Sequence, residues 1–389
     1  MKILIFNTLY TPYKVGGAEL SVQSLAEGLA KRGCDVGVVT LGEQNEVRKL
    51  NGVRVWRLKI DNLFWPFTAS QKGGVKKLIW HAKDIFNKSY KKPIQEIISE
   101  FHPNIIHTNN LAGFSVFVWD IAKKNKIKTV HTIRDYYLQC LKTTKFRNNR
   151  SCQQRCLECK LFSSYKKRAS NQVDVVVGLS NYVLEDHVSN GYFPLAKNHV
   201  IFNGFDLSHQ DKTKKIKIFD REDYIRLGYI GRIETAKGID LLINSLRELS
   251  YFKNWNLSVA GKVTSDIKNQ LNKEFDDRIN FLGYVKQEFF FNNIDVLVVP
   301  STWEEPFGRV VVEGLIHKKV VIGSKSGGIP QLLEGNEKYL FTPTSIDLTN
   351  LLQVVFNNPK YLNDFVFDDN QLKKFDLECI IDEYIEIYK

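Results

Sequence analysis

The chain has 389 residues, a formal net charge of +12, 43% hydrophobic residues and 25% charged ones. That length exceeds one ordinary α/β core, so two domains are expected; no apolar run approaches the roughly 20 residues that span a bilayer, which argues against a helical membrane protein. Charge is uneven, with 31 Lys+Arg against 15 Asp+Glu in residues 1–205 and 24 against 28 in the rest, so one domain alone is expected to meet an anionic partner.

In chain order, Lys2–Asn7 reads as a first parallel strand, too short and poorly flanked for a signal peptide, which predicts a cytoplasmic protein. Gly16-Gly17-Ala18-Glu19 opens a helix with apolar positions Leu20, Val22, Leu25 and Leu29, and Val36–Thr40 is the next strand, completing a βαβ unit. The loop lacks G-x-G-x-x-G, which disfavours a dinucleotide oxidoreductase. Residues 71–98 form a basic helical region with Lys72, Lys76, Lys77, Lys83, Lys88, Lys91 and Lys92. It reads either as a surface helix with a solvated face or as a patch resting on anionic lipid.

Ile105–His107 and Lys128–His131 are strand ends, the second running into Arg134-Asp135-Tyr136-Tyr137. Cys140, Cys152, Cys156 and Cys159 follow within twenty residues, in a segment rich in Lys, Arg and Asn. A cytoplasmic setting argues against disulfides. The C-x3-C-x2-C core either holds a structural zinc through its thiolates or stays as reduced thiols on a long loop. Asp174–Leu179 is a buried-type strand, Ser180 caps the helix after it, and residues 208–224 have a linker composition.

A second domain starts with the strand Ile225–Ile230. Its loop, Gly231-Arg232-Ile233-Glu234-Thr235-Ala236-Lys237-Gly238, lies where open α/β sheets bind phosphate. A bidentate Arg and a point-charge Lys there suit a diphosphate. Leu257–Gly261 and Ile279–Gly283 are further strands. Then Asp295–Pro300 reads as a strand, Glu304-Glu305-Pro306 as a turn with Pro306 in the first turn of a helix, Val310–Ile316 as that helix and Val320–Ile322 as a strand. Gly327-Gly328 lets backbone come close before Pro330 opens another helix. Glu305 and Glu313 frame the resulting crevice. Leu351–Phe356 and Ile380–Tyr388 are terminal helices.

Glu305-Pro-Phe-Gly, then Glu313-Gly-Leu, then Gly327-Gly-Ile-Pro resembles the nucleotide-sugar signature of the retaining glycosyltransferases of family 4, and Gly231-Arg232 followed by Lys237-Gly238 resembles the family's diphosphate loop. Gln331, where Glu is common, and Arg309, where an apolar residue is usual, depart from the pattern. The resemblance implies a GT-B fold: two Rossmann-like doubly wound α/β domains facing a central cleft. Residues 1–205 would bind the acceptor, 206–371 the nucleotide sugar, and 372–389 would cross back onto the first domain. It implies a UDP- or GDP-type donor whose diphosphate meets Arg232 and Lys237, with Glu305 on the sugar hydroxyls and Glu313 on the ribose. Backbone at Gly283 and Tyr284 would receive the base, Phe307 and Gly308 would complete the donor pocket, and the Gly16-Gly17 loop would lie across from the donor phosphate. A family His that contacts the donor sugar falls on His131 or on Arg134, depending on the alignment.

The reaction so implied is sugar transfer with retention, to a glycan or lipid-linked glycan in cell-surface polysaccharide synthesis. No catalytic metal is expected, because Arg232 and Lys237 take that role and no Asp-x-Asp stands beside the motifs. A nucleotide-sugar epimerase of the same fold is the rival enzyme. A zinc-containing nucleic-acid-binding protein would use the basic first domain and the cysteines, but it leaves Glu305 and Glu313 unexplained and lacks a recognisable RNA-binding motif, so nucleic acid is not an expected partner.

Overall fold

The computed structural model describes residues 1–13, 16–62, 74–208, 216–262 and 277–389, with 74–78 as backbone only. Lys72, the side chains of Lys76 and Lys77, and residues 209–215 of the expected linker lie outside this description. The chain divides into two compact units: Met1–Lys145, Cys152–Asp206 and Lys374–Lys389 make the first, Phe146–Ser151 and Leu207–Lys373 the second.

The first unit is built on β1 (Lys2–Phe6), β2 (Asp35–Gly42), β3 (Glu46–Leu50), β4 (Val53–Lys59), β5 (Ile105–Thr108) and β6 (Lys128–Ile133). A short hairpin, β7 (Phe146–Arg147) and β8 (Arg150–Ser151), precedes β9 (Val175–Gly178) and β10 (Lys197–Val200). The eight sheet strands run in the order β10-β9-β6-β5-β1-β2-β4-β3. The unbroken apolar run Ile3–Phe6 is wholly buried, as a strand covered on both faces requires. Only β3 is antiparallel, turned back on β4 by Asn51 and Gly52 at φ 49° and 86°. This is an Asn-Gly hairpin that the sequence reading passed over. The chain leaves β1 for β2 and later returns to β5 on its other side, so β1 and β5 flank a topological switch point.

The basic region is two helices, not one: Gly74–Ile85 and Lys91–Phe101 are separated by the short turn Lys88–Tyr90. Buried Asn87 forces the break, accepting from the Ser89 amide and donating to the Asp61 and Gly113 carbonyls. Asp84 anchors the first helix from inside, accepting from Tyr137 Oη at 2.7 Å and Gly113 N at 2.5 Å, with Lys166 Nζ at 3.7 Å.

The helix Leu377–Tyr388 lies on the helix Gly17–Lys31, where Ile380, Ile381, Tyr384 and Tyr388 join one core with Ile3, Val22, Leu25 and Val36. Gly28 permits this approach, since a Cβ there would lie 2.2 Å from Ile381. Tyr388 Oη reaches His107 Nδ1 at 2.7 Å, and Thr132 Oγ1 bridges His107 Nε2 (2.8 Å) and Tyr384 Oη (3.0 Å). Phe205 and Asp376 form a parallel bridge within this unit.

The second unit's sheet has six parallel strands: β11 (Ile225–Ile230), β12 (Trp255–Ala260), β13 (Ile279–Gly283), β14 (Val296–Val299), β15 (Val320–Ser324) and β16 (Leu340–Phe341). Their order is β13-β12-β11-β14-β15-β16, which puts the switch point between β11 and β14. At the opposite, N-terminal ends of these two strands Asp295 is clamped by Arg226 at 2.6 Å and Lys217 at 3.1 Å.

Candidate active site

At the switch point of the second unit, two loops are sewn together by backbone. Thr235–Lys237 after β11 forms a single tight turn. Its Ala236 carbonyl accepts from the Thr302 and Trp303 amides at 3.0 and 3.2 Å, and Thr302 Oγ1 donates to the Thr235 carbonyl at 2.9 Å. Gly238, at φ 72°, closes the turn against the loop after β14; any Cβ there would lie 1.7 Å from the Pro300 carbonyl oxygen. The position of Lys237 is thus set by main chain on both sides.

The loop carrying Glu305 is tied in the same way. Gly327 N donates to Glu304 Oε2 at 2.6 Å and Gly328 N to the Glu305 carbonyl at 2.7 Å. Gly327 adopts φ 59°, and a Cβ would lie 2.1 Å from the Glu305 oxygen, so the second glycine turn exists to let these backbones touch. The helix begins at Arg309 with Gly308 as its cap. Pro306 therefore sits in the loop, not in the first helical turn that the sequence suggested, because the 304–306 backbone is engaged with 327–328.

This framework brings Lys237 Nζ to 2.5 Å and Ser301 Oγ to 2.8 Å from Glu305 Oε1. Glu305 is only 8% exposed. Burial alone would raise its carboxyl pKa, but the Lys237 ammonium and the hydrogen bonds from Lys237 and Ser301 outweigh burial and hold it below the ordinary range. The face of Trp303 lies 4.9 Å from Lys237 Nζ, a further cation contact. Arg232 is exposed at the same strand end and pairs with Glu234 at 3.1 Å, its carbonyl fixed by Tyr229 Oη at 2.7 Å. Glu313 faces Arg309 one turn back at 3.0 Å; here burial raises the carboxyl, and the opposing pull of Arg309 does not cancel it. The two carboxyls are thus tuned in opposite directions.

Phe307 is buried beside this loop. Gly283, at φ 67°, ends β13, with its carbonyl accepting from Gly261 N at 2.7 Å, and Tyr284 is 94% exposed next to it. Ser301 and Trp303 were not singled out from sequence, and Arg309 stood out only as a departure from an apolar residue. The signal available for the serine was its place directly after a strand at the switch point.

In the first unit the expected residues separate. His131 is 3% exposed, its Nδ1 bonded to Thr108 Oγ1 at 2.9 Å and its ring stacked on Phe193. Burial, then the neighbouring His187 and Arg134, depress its pKa to about 3, so it is a neutral core residue at working pH. Arg134 lies at the sheet edge, held by Asn109 Oδ1 and Asn203 Oδ1 at 2.7 Å each. Asp135 accepts from Asn110 Nδ2 and Tyr137 N, and burial pushes its carboxyl up to about 6. Gly16 N donates to Glu19 Oε2 at 2.8 Å, securing the helix start at Gly17.

The cysteine segment carries two readings, a structural zinc or reduced thiols; among the described residues no group of three His, Cys, Asp or Glu side chains is placed as a metal site. Cys140 and Cys159 are buried free thiols, while Cys152 and Cys156 are half-buried. Cys152 N closes the base of the β7–β8 hairpin on the Lys145 carbonyl at 2.7 Å, and Cys156 stands at the N-cap of the helix Leu157–Ala169. No described helix is long and apolar enough to cross a membrane.

Comparison with known proteins agrees with this layout. Residues 15–209 match the family model "Glycosyltransferase Family 4" and residues 210–366 match "Glycosyl transferases group 1". A 42.6 kDa protein of the cps region of Klebsiella pneumoniae is 34% identical over 391 residues, covering all of both chains. The lipopolysaccharide 1,2-N-acetylglucosaminetransferase of Salmonella typhimurium is 30% identical over 175 residues, covering 40% of this chain and 46% of that one. Among solved structures, Anabaena Alr3699/HepE in complex with UDP and glucose superposes with a TM-score of 0.69 at 18% identity, covering 100% of this chain and 99% of that one. The chain belongs to glycosyltransferase family 4 and is a sugar-transferring enzyme of the GT-B fold.

Proposed function

We propose that the enzyme moves a sugar from a nucleoside-diphosphate donor, of UDP or GDP type, to a glycan or lipid-linked glycan in cell-surface polysaccharide synthesis, with retention at the anomeric carbon. The observation that carries this reading is the ion pair of Lys237 with the buried, ionised Glu305 at the switch point of the second unit. Arg232 and Lys237 neutralise the charge that develops on the departing diphosphate, the contribution that is usually largest in such chemistry. Glu305 stays ionised to accept the donor sugar's hydroxyls, and Glu313 takes the ribose. The base lies along Gly283 and Tyr284, with Phe307 and Gly308 closing the pocket. Retention follows from attack on the same face as the leaving group. In this reading the first unit contributes the Gly16-Gly17 loop for the donor phosphate and, for the donor sugar, Arg134, partly exposed where His131 is closed off. The names of relatives from the cps region and lipopolysaccharide synthesis support the acceptor class, and the UDP-bound neighbour supports the donor class.

A thermal-shift screen with UDP, GDP, ADP and their sugar conjugates tests the reading. A nucleotide at about 100 times its dissociation constant should add roughly 2.7 kcal/mol of stability, a clear rise in melting temperature. No rise with any nucleotide, at concentrations up to the millimolar range, would refute a donor site here.

A further inference from the structure

The segment Arg147-Asn148-Asn149-Arg150 forms the tip of the β7–β8 hairpin, which belongs to the second unit. Asn148 and Asn149 both adopt left-handed backbone, φ 54° and 55°. That is the two-residue hairpin loop whose twist matches its strands, and Asn is the side chain that tolerates it best after glycine. The loop fixes the register, placing Phe146 opposite Ser151 and Arg147 opposite Arg150. Ser151 Oγ then donates to the Thr302 carbonyl at 3.1 Å, and Thr302 is the residue whose amide and hydroxyl hold the turn bearing Lys237.

Strand alternation turns the two arginines to the opposite face of the hairpin, where both are exposed. Like charges directly across a strand pair repel each other, and neither guanidinium has a hydrogen-bond or ion-pair partner among the described residues. Nothing among the described residues relieves that repulsion. A rigid turn that holds two planar N–H forks side by side matches a phosphate, which accepts bidentate hydrogen bonds from each.

The donor diphosphate is already assigned to Arg232 and Lys237, so this is a second anion site. Resting on that reading, we infer that Arg147 and Arg150 form a fork for a phosphate or diphosphate group carried by the acceptor. Through Ser151 the hairpin is tied to Thr302 in the loop that leads to Glu305, so the fork borders the loop that carries the carboxylate. A lipid-linked diphosphate and a soluble sugar phosphate present the same chemistry to it.

The test uses the full chain and three titrations by calorimetry: UDP alone, then inorganic pyrophosphate with UDP saturating, then farnesyl diphosphate with UDP saturating. Pyrophosphate should bind the wild type in a salt-sensitive way. R147Q/R150Q should weaken it by at least about tenfold, as loss of two charge-assisted contacts implies, while R147K/R150K keeps part of the affinity and UDP binds all three proteins equally. Farnesyl diphosphate binding more tightly than pyrophosphate identifies a lipid-linked acceptor; equal affinities identify a soluble one. Pyrophosphate affinity unchanged in R147Q/R150Q, or UDP affinity lost in it, would overturn the inference. Pyrophosphate binding that depends on the arginines in a protein that never binds UDP would instead sink the donor reading and leave the fork standing.

Discussion

The two sheets share a plan and differ at their edges. Each turns its strand order at one point, between β1 and β5 in the first unit and between β11 and β14 in the second, and each carries polar loops at the C-terminal ends of those strands. In the second unit the edge holds a cation and a carboxylate in contact, Lys237 and Glu305. In the first, Asn109 and Asn203 hold the Arg134 guanidinium with neutral carbonyls, and His107, His131 and His187 lie buried with depressed pKa values. One architecture therefore supports an ion pair or a cation held by neutral carbonyls, and loop residues decide which. That is why function has to be argued from the edge and not from the fold.

The contrast can be broken most forcefully at Glu305. Glu305→Gln removes the partner of Lys237 while keeping size and shape, and turnover with a nucleotide-sugar donor should fall by about 10²–10³, comparable to losing one preorganised electrostatic contact. A circular-dichroism melt checks that the fold survives; a wild-type rate in a folded protein would remove the pair from the reaction.

Acidification separates the units next. His131 and His187 have pKa values depressed to about 3 and about 4, and His107 lies well below its ordinary value, all through burial first. Each stays neutral when folded but gains a proton when unfolded below about pH 6.5. Stability is therefore kept above that pH and lost as pH falls, by roughly 2 kcal/mol each for His131 and His187 at pH 5. In the second unit the depressed carboxyls Asp295 and Glu305 lose their contribution only below the ordinary carboxylate range. Calorimetry at pH 7.5 and 5.0 should show the first unit's transition falling further, and equal shifts would mean that these histidines do not limit its stability.

The smallest effect concerns the basic first unit. Lys88, Lys91 and Lys92 are exposed near Ile79 and Phe86, themselves exposed apolar residues. If this face rests on anionic lipid, Lys91→Gln should cost about 1 kcal/mol of binding to phosphatidylglycerol vesicles. Co-sedimentation with wild type and variant measures it, and equal binding to neutral vesicles would dismiss the patch.

The second unit's site was legible because its residues are close in sequence and each carries a local constraint. Arg232 and Lys237 share one loop, and Gly327 is needed because the Glu305 backbone presses against it. The first unit resisted for the opposite reason. Tyr388 and His107 are 281 residues apart, and Tyr384 and Thr132 are 252 apart, so no window of sequence contains both partners. His131 and Arg134 stayed alternatives for one family position because the sequence does not reveal that Trp119 and Phe193 wall His131 in.

The return of Leu377–Tyr388 onto the first unit bears on the order in which the protein is made. Four of that core's side chains, Ile380, Ile381, Tyr384 and Tyr388, emerge only after Leu207–Lys373 has been synthesised, on the order of ten seconds or more at ribosomal rates. Until then the groove along Val22 and Leu25 stays open. The second unit, contiguous apart from its hairpin, can close first, so the nascent chain reverses the usual amino-to-carboxyl order of domain completion and presents its unfinished apolar groove to chaperones throughout that interval.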